Sequence, residues 1–286
     1  MIVNQLKGAP FLSKVILVDI LVAIDPLSSA ESDLLGRLTH EDYRLVDHIL
    51  GLIIYEGGRH SFVKLFGLIQ EFCYDPRWEI RRRLTEALPN LVDADHEQAA
   101  QLMEILRTDY DERWKTDVRR RVVEALPLLS KFSLAKALEI SKYRPDDEVF
   151  TIIAIVEFIC GLSRDIEPAP NKLLEDLYYQ LNDDRVAVLR FLQELLFTIQ
   201  KEPKLAIEMM NARLNDPEVL VRICIARSAP RLLDSLTYEI LGVLQHYARP
   251  EEHKYVRRPI AKGASEIVAH WEFAWYPPYM GGKIAR

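Results

Sequence analysis

The sequence predicts an all-α chain, a solenoid of about seven stacked helix pairs, and three observations carry that expectation. Arg81 to Pro89 reads RRRLTEALP, and Arg119 to Pro127 reads RRRVVEALP, so seven of nine positions agree one 38-residue step apart. A fainter third copy, Asp216 to Leu232 (DPEVLVRICIARSAPRL), keeps the Asp-Pro start of Asp75 to Leu91 (DPRWEIRRRLTEALPNL), its aliphatic-Arg pair and its closing Pro. Apolar residues recur at helical spacing along the 286 residues, which hold 11 Gly. Self-similarity at a fixed period marks units that cannot bury an apolar face alone and must stack.

Taken in order, Val15 to Ile24 (VILVDILVAI) reads as an N-terminal helix that seals the first unit. With Asp19 in its middle and about ten apolar residues, this run is too polar for a leader and too short for a bilayer span. Asp25-Pro26 ends it, and Ser28 with Glu31 forms a capping box for a helix reaching Leu38. Its partner starts near Asp42, with Leu45, Ile49, Leu52 and Ile53 on one face, and stops at Gly57-Gly58.

The second pair is Ser61 to Cys73 and Arg77 to Leu91, turned by Asp75-Pro76. Further pairs are His96–Thr108 with Glu112–Ser130, Leu134–Lys142 with Asp147–Leu162, and Lys172–Leu181 with Val186–Gln200. Pro203–Leu214 with Pro217–Leu233 and Leu236–Tyr247 with Glu252–His270 complete the array. Glu167-Pro168-Ala169-Pro170 is a Pro-rich connection where an irregular step is expected. Anchoring each second helix on Leu45, Ile80, Val118, Ile152, Leu189, Val221 and Val256 gives steps of 35, 38, 34, 37, 32 and 35 residues. A near-constant step is what stacking in register needs.

Hydrophobic residues at 49% and charged residues at 28% suit a continuous core. A net charge of −6 argues against a surface built as a whole to embrace nucleic acid. Cys73, Cys160 and Cys224 are isolated in apolar patterns and read as reduced core residues of an intracellular, cytoplasmic protein.

At the helix-pair turns the residues resemble the HEAT repeat family, whose units carry an Asp at the turn and an aliphatic-Arg pair early in the second helix. Asp75 with Ile80-Arg81, Asp184 with Leu189-Arg190 and Asp216 with Val221-Arg222 match, and Glu251 with Val256-Arg257 is a carboxylate variant. Val118-Arg119 keeps the pair, but Arg113 stands where the acid belongs; Val46 and Ile153 replace the Arg in the first and fourth units. The resemblance covers residues 28 to 270 and implies a right-handed solenoid of about seven HEAT-like helix pairs, between a capping segment 1–27 and an aromatic tail 271–286. It also implies an Asp–Arg ladder between neighbouring units, in which Asp75, Arg81, Asp184, Arg190, Asp216, Arg222, Glu251 and Arg257 are structural. Pro89, Pro127 and Pro230 recur near the ends of second helices and are expected to kink or terminate them.

No GxxxxGK[ST], GxGxxG or GxSxG motif is present, and the seven His form no HxxxH pair, so no cofactor, metal or catalytic residue is expected. The acidic pairs Asp146-Asp147, Asp183-Asp184 and Glu251-Glu252 fall before second helices, where carboxylates cap free amides and complement the helix dipole.

The sharper candidates are cationic and aromatic. Arg82, Arg83, Arg120, Arg121 and Arg258 should align as a stripe able to meet a carboxylate-rich or phosphate-bearing partner. Arg82 with Glu86 and Arg120 with Glu124 are also spaced to neutralise one another. Trp78 and Trp114, in matching DPRW and DERW contexts, and Trp271 and Trp275, in the tail HWEFAWYPPY, have the composition of interface anchors. The expectation is a non-catalytic scaffold or adaptor holding a protein partner along the Arg-bearing face, with no membrane contact. Because some HEAT-like proteins are DNA glycosylases, and others act as chaperone-like lyases or assembly factors, the resemblance leaves both as alternatives.

Overall fold

Apolar side chains three and four residues apart give each segment one face that must be covered, and the chain covers these faces helix against helix. The computed structural model describes residues 9–23, 29–42, 44–52, 58–109, 115–232, 237–247, 256–257 and 261. All regular structure among them is helical. The chain divides into two compact units, 1–162 and 163–286, just before the Pro-rich connection.

Unit 1 begins with α1 (Phe11–Ala23), α2 (Ser29–Glu41) and α3 (Arg44–Leu52). It continues with α4 (Gly58–Phe72), α5 (Trp78–Ala94), α6 (His96–Arg107), α7 (Lys115–Leu129), α8 (Leu134–Ser141) and α9 (Val149–Cys160). The first helices of successive pairs, α2, α4, α6 and α8, touch one after another, and so do the second helices α3, α5, α7 and α9. Two helical layers result, with α1 packed on α2 and α3 through the buried Val18 and Leu21.

Ile80, Leu84, Leu88 and Leu91 of α5 and Val118, Val122, Leu126 and Leu129 of α7 line the seam between layers. α9 is apolar nearly all round and correspondingly buried from Thr151 to Val156 and from Phe158 to Cys160. Asp95 starts α6 by accepting hydrogen bonds from the amides of Glu97 and Gln98.

Unit 2 contains α10 (Pro170–Tyr178), α11 (Asp183–Lys201), α12 (Pro203–Ala212), α13 (Val219–Ser228), a 3-10 turn at Ala229–Leu232, and α14 (Thr237–Tyr247). α11 packs on α12 and α13, and α14 packs on α12 and α13. Leu189, Leu192, Leu195, Leu196, Cys224 and Ile225 are buried at its centre.

Of the three recurring prolines, Pro230 stands just past the end of its helix, which closes at Ser228. α5 runs through Pro89 to Ala94, and α7 runs through Pro127 to Leu129, so neither terminates its helix there; Pro230 lies in the 3-10 turn. A proline forgoes a single bond, here to the carbonyl of Thr85 or Val123 four residues back, and each helix continues past it. Cys73, Cys160 and Cys224 are buried free thiols, and burial pushes the Cys73 thiol up to about 12.

Candidate functional site

Three of the described turns between the helices of a pair are built around an aspartate. Asp42 accepts a hydrogen bond from the backbone N–H of Arg44 and grips its guanidinium at 2.9 and 2.6 Å. Asp75 repeats the arrangement on Arg77, at 2.8 Å to the amide and 2.9 and 2.7 Å to the guanidinium. Asp216 keeps the backbone half of it, accepting from the amide of Glu218. The side chain bends the backbone before the helix starts, which is why Asp is suited here.

The carboxyl of Asp42 is lowered, chiefly by its hydrogen bond from Arg44. For Asp75, burial opposes ionisation, but the bonds from Arg77 outweigh it and leave its carboxyl below the usual range.

The ladder between units uses other acids than the sequence suggested. Arg81 donates to the carbonyl of Asp75 in its own turn, and its Nε lies 2.5 Å from Oδ2 of Asp109 in the next turn. Arg81–Asp109 thus joins neighbouring repeats, as the expected ladder does, but through an acid that the sequence pattern did not assign. One unit on, Arg119 reaches Asp146 at 2.9 Å and Asp147 at 3.6 Å. Asp146 and Asp147 therefore work as ion-pair partners, not as simple helix caps. Arg113, which stood in the acid's place, lies outside the described residues. The acid itself is Asp109, 34 residues after Asp75; the extra residues of the 38-residue step fall after it.

Arg107, unremarked in the sequence, is the most enclosed cation. Its guanidinium makes a two-pronged pair with Asp147 at 2.6 and 2.5 Å and donates to the carbonyls of Ile140 and Lys142 at 3.2 and 3.1 Å. Side-chain exposure is 2% for Arg107 and 0% for Asp147, so each charge depends on the other. As the last residue of α6 it looked like an ordinary C-terminal cation, and only Asp147, forty residues later, gives it a role.

The arginine stripe on α5 and α7 is interleaved with acids. Arg83 lies 2.8 Å from Asp47 and 2.7 Å from Glu86. Arg82 lies 3.3 Å from Glu86 and 3.4 Å from Asp117. Arg120 is 2.7 Å from both Asp117 and Glu124, and Arg121 reaches Asp117 at 3.3 Å and Glu86 at 3.5 Å. Four guanidiniums thus share four carboxylates. Burial works against ionisation of Asp117, yet Arg120 and Arg121 hold its carboxyl below the usual range. Beside this lattice, Asp47, Trp78, Glu79, Arg82, Arg83 and Glu86 border a cleft of about 270 Å³. Arg82 lies over the Trp78 ring at 5.9 Å, within reach of a cation–π interaction.

In unit 2, Arg222 donates to the carbonyl of Asp216 as Arg81 does to that of Asp75. Arg190 departs from the pattern: its guanidinium sits 5.6 Å over the ring of Tyr178, at the edge of an open groove of about 610 Å³. No ion-pair partner of Arg190 is present among the described residues. Asp184 lies in the first turn of α11, with its side chain outside the description, and Arg257 is exposed. Trp114, Glu251, Arg258, Trp271 and Trp275 lie outside the described residues.

The structure therefore brings together Trp78, Arg82, Arg83, Arg120 and Arg121. No group of three or more His, Cys, Asp and Glu side chains able to hold a metal occurs among the described residues. No described helix is long and apolar enough to cross a membrane. No protein-family model and no curated protein matches the chain.

Proposed function

We propose that the chain is a non-catalytic protein-binding scaffold, whose helix pairs stack as a right-handed HEAT-like solenoid and whose α5–α7 face receives a protein partner. The observation that supports this most is the four-to-four lattice of Arg82, Arg83, Arg120 and Arg121 with Asp47, Glu86, Asp117 and Glu124. Each cation is held in position before any partner arrives, which lowers the ordering cost of association. The interleaved carboxylates repel a phosphate backbone, so the face suits a protein surface of alternating charge better than nucleic acid. Trp78, against the adjoining cleft, supplies an anchor of the type that dominates interface energetics.

The test is capture of partners from native lysate, with and without nuclease, by the wild type and by a variant with Arg82, Arg83, Arg120 and Arg121 all changed to Gln. Gln removes the charge without adding repulsion among the four acids. A stoichiometric protein that survives nuclease, and is lost from the variant at unchanged helical circular dichroism, supports the assignment. Undiminished capture by the folded variant, or recovery of nucleic acid alone, overturns it.

A further inference from the structure

The groove in unit 2 is walled by complete helix faces. α10 contributes Asn171, Leu174, Glu175 and Tyr178, at spacings of three, four and seven residues from the first. α11 contributes Arg190, Gln193, Glu194, Phe197, Thr198 and Lys201, which again fall on one face. Leu205 of α12 closes the far side and is 42% exposed. From Arg190 to Lys201 the face runs about 16 Å at ~1.5 Å per residue, roughly three helical turns. Leu205 and Phe197, the latter with the Arg164 guanidinium 5.3 Å over its ring, give the groove an apolar centre beside the buried Leu174, and charges stand around it.

Those charges are uncommitted. Arg190 and Lys201 have no carboxylate partner, and Glu175, Glu194 and Glu202 no cationic one, among the described residues. Gln193 is oriented by the Tyr178 hydroxyl, which donates to its Oε1 at 2.9 Å and so fixes that end of the wall. In unit 1 the first helices of neighbouring pairs touch in series; here the groove opens between α10 and α12, in the layer where such helices pack.

We infer that this groove is a docking site for one amphipathic helix, of about eleven residues, from a partner protein. Apolar side chains at i, i+4 and i+7 of that helix seat along Phe197 and Leu205. An acidic residue at one end meets Arg190, and a basic residue further along meets Glu175 or Glu194. A helix satisfies its own backbone hydrogen bonds and so can enter a groove that offers side chains and no strand edge. The site is separate from the arginine lattice of unit 1, and neither assignment rests on the other.

The probe is a phage-displayed library of eleven- to fifteen-residue helix-forming peptides, selected on the full chain. Selected peptides should share the apolar i, i+4, i+7 stripe and a terminal Asp or Glu. Their affinity should fall at least tenfold on Arg190→Glu and on Leu205→Lys, both exposed positions whose substitution leaves the core intact. Replacing the peptide's acidic residue with Lys should recover at least half of that loss on the Arg190→Glu protein. The Arg82→Gln/Arg120→Gln protein should bind the peptides as wild type does. Failure to enrich a helical pattern, or equal binding to Arg190→Glu and wild type, overturns the inference.

Discussion

The α5–α7 face of unit 1 and the α10–α12 groove of unit 2 are both lined by charged residues on second helices, yet the charges are disposed oppositely. In unit 1 each of Arg82, Arg83, Arg120 and Arg121 meets two carboxylates, so the face is internally balanced. In unit 2, Arg190 rests on an aromatic ring, and the acids along the groove have no cationic ion-pair partner among the described residues. A balanced lattice holds its own helices in register and presents alternating charge. Uncommitted charge around an apolar floor is stabilised when something arrives to pair with it.

The contrast can be broken most sharply inside unit 1. Arg107→Ala should cost about 3–5 kcal/mol of stability in urea denaturation, because it removes the two-pronged partner of the buried Asp147 carboxylate and leaves it, as an ion pair, only the longer 3.6 Å contact to Arg119. The double variant Arg107→Met/Asp147→Leu should recover most of that loss. A loss under ~1 kcal/mol for the single variant would place Arg107 with the exposed pairs instead.

Acid should weaken unit 1 next. Asp42, Asp75, Asp117 and Asp146 all have carboxyls lowered from 3.8, the last chiefly through its hydrogen bond from Arg119. A depressed folded-state value means stability that is complete above the unfolded value and lost as pH falls through the folded one. Unit 1 should therefore weaken below pH 3.8. Hydrogen exchange of unit 1 between pH 5 and pH 2.5 reads this directly; unchanged protection across that range would contradict it.

Single removals from the surface lattice should matter little. Arg120→Ala should cost about 0.2–1 kcal/mol, less as salt is added, because its pairs with Asp117 and Glu124 are partly hydrated. Smallest of all should be Arg190→Ala, within about 0.5 kcal/mol, since no acid among the described residues loses an ion-pair partner. A loss several times larger would show that Arg190 holds the fold, and would remove the reason to place a ligand there.

Much of the architecture was legible because it is written locally. The all-helical content, the pairing of helices, α1 against the first pair and the anchors Leu45, Ile80, Val118, Ile152, Leu189 and Val221 all follow from apolar spacing. Helix ends were less legible: the chain begins α9 at Val149, two residues after the expected start, because Asp147 is drawn inward to Arg107. Asp109 was missed because counting from the helix anchor Val118 skipped an insertion between the two. Arg107 carried no pattern at all, since a cation in a last helical turn is common and its partner is remote in sequence.

By itself, then, the sequence determined which residues are helical and which faces they bury, since both depend on neighbours within a turn or two. Only the tertiary structure decided what each charge does. A guanidinium pairs with whatever carboxylate the packed helices bring within a few ångströms, and that distance is set by how adjoining helices and turns meet. Hence Arg81 found Asp109, the α5–α7 arginines found one another's acids, and Arg190, in the same repeat position as Arg81, was left facing an open groove.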